Sequence, residues 1–444
     1  MSGQILFRGF NIVNEGKTFY GDLLVCGERI ERIDSDITPA AAAQVVEGNG
    51  RWLIPGAIDD QVHFREPGLT HKATIASESK AAVAGGITSF MEMPNTNPAT
   101  TTQALLDWKF QQARQTAWAN YSFYLGATPD NLTEIKSLNP QNICGVKIFM
   151  GSSTGNLLVD NPQILEHIFS ESPTLIATHC EYEPSIQQST KELKSRYPDA
   201  QAVIHPFVRS AEACFESSAY AVSLAKKHNT RLHILHISTE KELQLFDNKL
   251  DLKQKRITAE VCVHHLWFNS QDYERLGNLI KWNPAIKTNQ DQTALWAGLL
   301  NNSLDIVATD HAPHTLAEKN KPYWDAPSGG PLVQHALAMM LSCAKQGKIT
   351  VEKVIEKMCH APAICFNVQE RGFLREGYYA DLVVINPNKP QIVTADSLLY
   401  ACKWSPLLGE TFPVSVEQTY INGACAWNNG KFITQNAQQL QFNS

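Results

Sequence analysis

The sequence predicts an α/β fold: a (β/α)8 TIM-like barrel with a small β-sandwich domain formed by both termini. Three observations predict it. Short apolar runs of about five to seven residues recur through the middle of the chain, each followed by helix formers at helical spacing. Polar residues cluster at the ends of many of these runs, as they do where barrel strands open onto one mouth. No Gly-x-Gly-x-x-Gly follows the first run, which argues against the rival doubly wound sheet.

Residues 1–52 form the first part of the small domain. Ile5-Leu6-Phe7 and Asp22-Leu23-Leu24-Val25 alternate with turn residues, and 27–33 has the period-2 polarity of a half-buried strand. The barrel spans 53–370. Its strands are expected at 54–58, 87–93, 121–126, 145–150, 174–179, 232–237, 257–263 and 304–309. Helical spacing marks 75–84, 101–119, 211–227 and 290–301 between them. Residues 371–444 return to short strands, Asp381-Leu382-Val383-Val384-Ile385, Val414-Ser415-Val416 and Thr419-Tyr420-Ile421, with Asn422-Gly423 as a turn. The two ends could be separate appendages; one shared domain is the expectation.

Composition bounds the function. The 444 residues are 43% hydrophobic and 18% charged, which suits one large domain plus a smaller one rather than a disordered chain. Lys+Arg total 38 against 44 Asp+Glu, so 38 − 44 gives −6, and no basic block offers a nucleic-acid footprint. No apolar run approaches the roughly 20 residues of a membrane span, and Met1-Ser2-Gly3-Gln4 lacks the features of a secretory leader. The ten cysteines show no framework spacing and read as reduced thiols of a cytoplasmic protein.

The chemistry is expected at the C-terminal ends of the strands, which converge on one mouth in a barrel. His63 follows the first strand, His179 ends the fifth, His236 ends the sixth and Asp310 ends the eighth. Imidazoles and a carboxylate delivered to one place suit a divalent transition metal, most often zinc. His167, His205, His228 and His335 have the blander reading of packed or rim residues. His233 lies three residues before His236, so strand alternation sends the two to opposite faces, with His236 inward. The adjacent His264 and His265 cannot both point inward and read as structural. Lys147 sits within the apolar fourth strand, where its ammonium would be desolvated. It could snorkel, pair with Asp310, or carry a CO2-derived carbamate able to bridge two metals.

At these residues the chain resembles the amidohydrolase superfamily and, within it, the dihydroorotase family. The motifs are Ile54-Pro55-Gly56, His63-Phe64-Arg65-Glu66-Pro67-Gly68, Met93-Pro94-Asn95-Thr96, the strand-four lysine and Ala308-Thr309-Asp310-His311-Ala312-Pro313-His314. Glu260-Val261-Cys262-Val263-His264-His265-Leu266, Asn283-Pro284 and 377–383 add to the likeness, which covers nearly the whole chain. The resemblance implies reversible interconversion of N-carbamoyl-L-aspartate and L-dihydroorotate, a step of pyrimidine synthesis, with one or two zinc ions and a homodimer.

Carried over residue by residue, His179 and His236 would hold one metal and His63 and Asp310 the other, bridged by carbamylated Lys147. Asp310 would also move the proton between water and the leaving ring nitrogen. Arg65, Asn95 and His314 would grip the substrate carboxylate, and Asn283 would contact the ring. Arg65 separates this reading from related cyclic amidohydrolases: allantoinases carry no arginine there, and dihydropyrimidinases (hydantoinases) also differ. A surface Arg65–Glu66 pair is the structural alternative. One departure stands out: the family's His-x-His is Gln61-Val62-His63 here, so the metal position depending on that pair is expected to be weakened. The contrasting hypothesis is a catalytically impaired chain serving as scaffold for an aspartate transcarbamoylase.

Overall fold

The computed structural model describes residues 3–152 and 155–443. Eight parallel strands form the central sheet: Ala57–Val62, Ile87–Glu92, Asn120–Gly126, Gly145–Phe149, Ile176–His179, Leu232–Ile234, Ile257–Cys262 and Ile306–Ala308. They pair in sequence order, and the first closes toward the eighth through a Val62–His311 bridge and a His63 N–H donating to the His311 carbonyl at 2.7 Å. The predicted barrel is therefore the observed one. Ile58, Met91, Tyr124, Ala177 and Ile306 cluster inside it, with Phe366, Val368, Leu440 and Phe442 packed against them. Their strand neighbours Phe90, Phe123 and Ile176 face outward to the helices, the alternation a pleated strand imposes.

The helices have legible starts. Thr74, Thr102, Ser210 and Thr288 cap the helices Ile75–Ala84, Gln103–Thr116, Ala211–His228 and Asn289–Leu300 with side-chain acceptors. Each cap is worth about 1 kcal/mol. Glu66 adds a tie between the first strand's exit loop and its helix, accepting from the Ile75 N–H at 2.9 Å. None of the described helices is long and apolar enough to cross a membrane.

Both ends of the chain build one nine-stranded sheet. Its spine runs through Gln4–Asn14, Trp52–Pro55, Leu382–Asn386 and Ser415–Ile421, so Trp52–Pro55 from the front half pairs antiparallel with Leu382–Asn386 from the back. One expected boundary changes. The apolar run 54–58 is not one strand: Ile54 and Pro55 belong to the terminal sheet, and the barrel strand starts at Ala57. Gly56 makes the crossing, donating its N–H to the Asp381 carbonyl at 2.9 Å. A Cβ there would lie 2.0 Å from the Thr88 Oγ1, so only glycine fits. Of the small-residue loop 151–156 after the fourth strand, Ser153 and Thr154 lie outside the described residues.

Candidate metal and substrate site at the barrel mouth

A cavity of about 460 Å³ opens at the C-terminal ends of the strands. His63, Arg65, Asn95, Lys147, His179, His236, Asn283, Asp310 and His314 all line it, together with Gln61. A larger, more open groove near Asp199, Leu276 and Lys321 lies off the mouth and holds none of them.

On one side two imidazoles converge. His179 Nδ1 lies 2.8 Å from His236 Nε2. The other nitrogen of His179 is 2.8 Å from Glu181, and Glu181 is itself paired with Arg209 at 2.5 Å. Burial alone would raise the Glu181 carboxyl, but Arg209 and His179 hold it well below the usual carboxylate range. This anionic anchor accepts a hydrogen bond from the His179 Nε2–H, leaving the Nδ1 lone pair aimed at the cavity. Burial pushes His179 down despite Glu181, and pushes His236 well below the ordinary imidazole value with His179 and Lys147 adding to it. Two imidazoles whose protonation is disfavoured, with His179 braced from behind by Glu181, offer the donor chemistry a divalent transition metal requires. Lys147 stands beside them. Burial holds its amine down to about 7, and its Nζ lies over the Phe149 ring at 4.6 Å. The pairing with Asp310 considered from sequence is not formed: among the described residues Lys147 has no carboxylate partner.

The opposite side is a hydrogen-bonded cluster. His63 Nδ1 is 2.7 Å from Asn95 Oδ1, and His63 Nε2 is 3.0 Å from Asp310 Oδ1. Gln61 donates from Nε2 to the same Asp310 oxygen at 3.3 Å and accepts from the Cys262 thiol at 3.4 Å. Trp282 Nε1 donates to the Asp310 carbonyl at 3.2 Å, fixing the backbone that presents the carboxylate.

The third wall is cationic. Arg65 is buried and donates from Nε to the Pro313 carbonyl at 3.0 Å, with Nη2 3.1 Å from His314 Nε2. Burial lowers the guanidinium to about 10. The surface pair with Glu66 does not form, because Glu66 is taken up by Ile75 and Gln112. Lys72 reaches His314 Nδ1 at 3.0 Å and Glu318 at 3.0 Å. Asn283 lines the cavity, and its buried Oδ1 has no hydrogen-bond partner among the described residues.

Arg65, His236 and Asp310 have φ of 70°, 41° and 45°, a left-handed region that is costly for residues with a Cβ. Strain at three cavity-lining positions is what a functional site shows, and it explains a correction. His233 does not turn away from the barrel interior: it lies inside, 3.3 Å from Asp60 and 3.2 Å from Glu260. The regular strand ends at Ile234, and the left-handed turn at His236 breaks the alternation, so both histidines face inward at different depths. Burial would lower His233, but Asp60 and Glu260 raise it to about 9. His264 and His265 pack as a tilted pair with ring centroids 4.1 Å apart, and His264 stacks on Trp282; neither histidine is in the cavity lining. Sequence reasoning missed Glu181, Arg209, Lys72 and Trp282. Only Glu181 left a signal, two residues beyond His179.

The model of the amidohydrolase family matches residues 52–425. A dihydroorotase of Halobacterium salinarum is 31% identical over 90% of this chain and 92% of its own length. A dihydroorotase of Anoxybacillus flavithermus is 30% identical over 96% of this chain and 99% of its own. Among solved structures, the L-hydantoinase (dihydropyrimidinase) of Arthrobacter aurescens superposes with a TM-score of 0.94 at 25% identity, covering 99% of this chain and 100% of its own.

Proposed function

The chain belongs to the amidohydrolase family, and on that premise we propose that it is a metal-dependent cyclic amide hydrolase interconverting N-carbamoyl-L-aspartate and L-dihydroorotate. One observation carries the choice of substrate. Arg65 is a buried guanidinium lining the cavity, and among the described residues it has no carboxylate partner. A buried charge without a counter-ion is costly, so the site is built to receive an anion from its ligand. Dihydroorotate brings a ring carboxylate, whose two oxygens suit the fork of Arg65 donors. His314 stands beside that fork, Asn95 lines the same cavity, and Asn283 offers a carbonyl oxygen to a ring N–H.

His179, His236 and Lys147 would hold a divalent metal, with zinc as the proposed ion, and His63 and Asp310 stand across the cavity from them. When bound, such an ion supplies Lewis acidity toward the ring amide carbonyl and a nucleophilic oxygen at neutral pH. Burial holds the Lys147 amine down to about 7, so a large share of it is neutral near that pH, the form that adds CO2 with loss of a proton to give a carbamate. Asp310 takes the proton of the attacking water as the new C–O bond forms. It returns that proton to the ring nitrogen as the C–N bond breaks. The strained backbone at Asp310, braced by Trp282, holds the carboxylate in place for both transfers.

Zinc-loaded protein is expected to hydrolyse dihydroorotate and to cyclise carbamoyl aspartate. Full metal loading with no turnover in either direction would overturn the enzymatic reading and favour the scaffold. The solved hydantoinase favours a second reading, in which a neutral cyclic amide is the substrate. It would prevail if hydantoins were hydrolysed and dihydroorotate were not.

A further inference from the structure

Resting on that reading of the site, we infer that this is a one-metal centre in which the Gln61 side chain takes the place of a second cation beside Asp310. Gln61 is buried at 1% exposure, and both ends of its amide are engaged. Nε2 donates to Asp310 Oδ1 at 3.3 Å, and Oε1 accepts from Cys262 Sγ at 3.4 Å. These partners fix which way the amide points. Reversed, it would set an oxygen against the carboxylate and lose the charge-assisted bond. An amide N–H has no lone pair for a metal, so ligation by Gln61 needs the amide to turn and give up both bonds. Even then a neutral amide oxygen is a weaker ligand for a transition metal than an imidazole.

The two halves of the mouth are built differently. His179 and His236 aim ring nitrogens at one point, and each is braced from behind, His179 by Glu181 and the His236 backbone by Glu260 at 3.1 Å. Around Asp310, by contrast, Gln61 and His63 both lie on the same carboxylate oxygen. Both sides hold side chains within hydrogen-bond distance; the difference is that the Asp310 side presents an amide N–H, which cannot ligate, where the other side presents only imidazole nitrogens. Asp310 is thereby a proton carrier held by Gln61 and His63 rather than a metal ligand.

The test is zinc stoichiometry of the purified full chain, measured by mass spectrometry after equilibration with buffered micromolar zinc. It is paired with zinc-edge anomalous scattering from crystals. The expected result is one zinc per chain, sited between His179 and His236, and a twofold rise in Gln61→His. Two zinc ions per wild-type chain, or a single ion sited at Asp310, would overturn the inference. The wild-type anomalous map decides even if Gln61→His fails to fold. Dihydroorotate turnover is assayed in parallel: one correctly sited zinc with no turnover would sink the proposed function and leave this inference standing.

Discussion

Replacing Arg65 by Met keeps the side-chain volume and removes the guanidinium that reads the substrate carboxylate. A hydrogen bond to a charged group is worth about 1.5–3 kcal/mol. Arg65→Met is therefore expected to lower kcat/KM for dihydroorotate by roughly 10- to 150-fold, chiefly through KM, with the metal retained. A change below threefold in steady-state assays would remove Arg65 from the binding role. Lys147 makes a prediction in pH. Burial holds its folded value near 7 against the ordinary 10.5, so between these limits the unfolded chain binds a proton that the folded chain does not. Stability of the metal-free protein should rise from pH 7 toward pH 10, and Lys147→Met should flatten that rise. Parallel thermal-melting curves for the two proteins would contradict it. At this scale the sequence was readable wherever a residue's chemistry and its strand-end position coincided, as for His63, His179, His236 and Asp310. Glu181 left only its nearness to His179 as a signal, and Arg209 left none, because nothing local says that a residue so far along the chain returns to pair with Glu181. His233 was misread because alternation assumes regular backbone, and His236 is left-handed.

The helix Gln103–Thr116 is fastened to the second barrel strand by Lys109, whose Nζ lies 2.7 Å from Glu92 with both side chains fully buried. Glu92 also accepts the Phe64 N–H at 2.9 Å, so the pair sets the path of the chain just before Arg65. Removing one partner leaves a buried charge alone, which costs about 3–5 kcal/mol. Lys109→Met should destabilise the protein by about that amount, and Lys109→Met with Glu92→Met by clearly less. Equal losses in chemical denaturation for the single and double variants would show the pair is not coupled. Elements with caps and periodicity were legible from sequence. The 54–58 run was not, because an unbroken apolar stretch hides a change of sheet that only the Gly56 contact with Thr88 reveals.

Across the whole molecule one large apolar cluster runs from the terminal sheet to the outer face of the barrel strands. Val13, Ile54, Val383 and Ile421 pack in the same continuous cluster as Val62, Phe90, Phe123 and Ile148. The two parts should accordingly melt in one calorimetric transition, and two resolved transitions would contradict the shared core. The assembly of the sheet from both ends was visible in the echo of short strands at the two termini, while the order of its strands was not. Beside that core lies a mouth with converging imidazoles on one wall and, on another, a guanidinium with no carboxylate partner among the described residues. The account stands most directly on what that guanidinium selects. Dihydroorotate and dihydrouracil differ by the ring carboxylate alone, so the decisive measurement is the ratio of their kcat/KM values on the same zinc-loaded protein. A buried polar site discriminates strongly against a ligand lacking its partner group, and a preference for dihydroorotate of at least about 100-fold is predicted. Equal rates, or a preference for dihydrouracil, would contradict it.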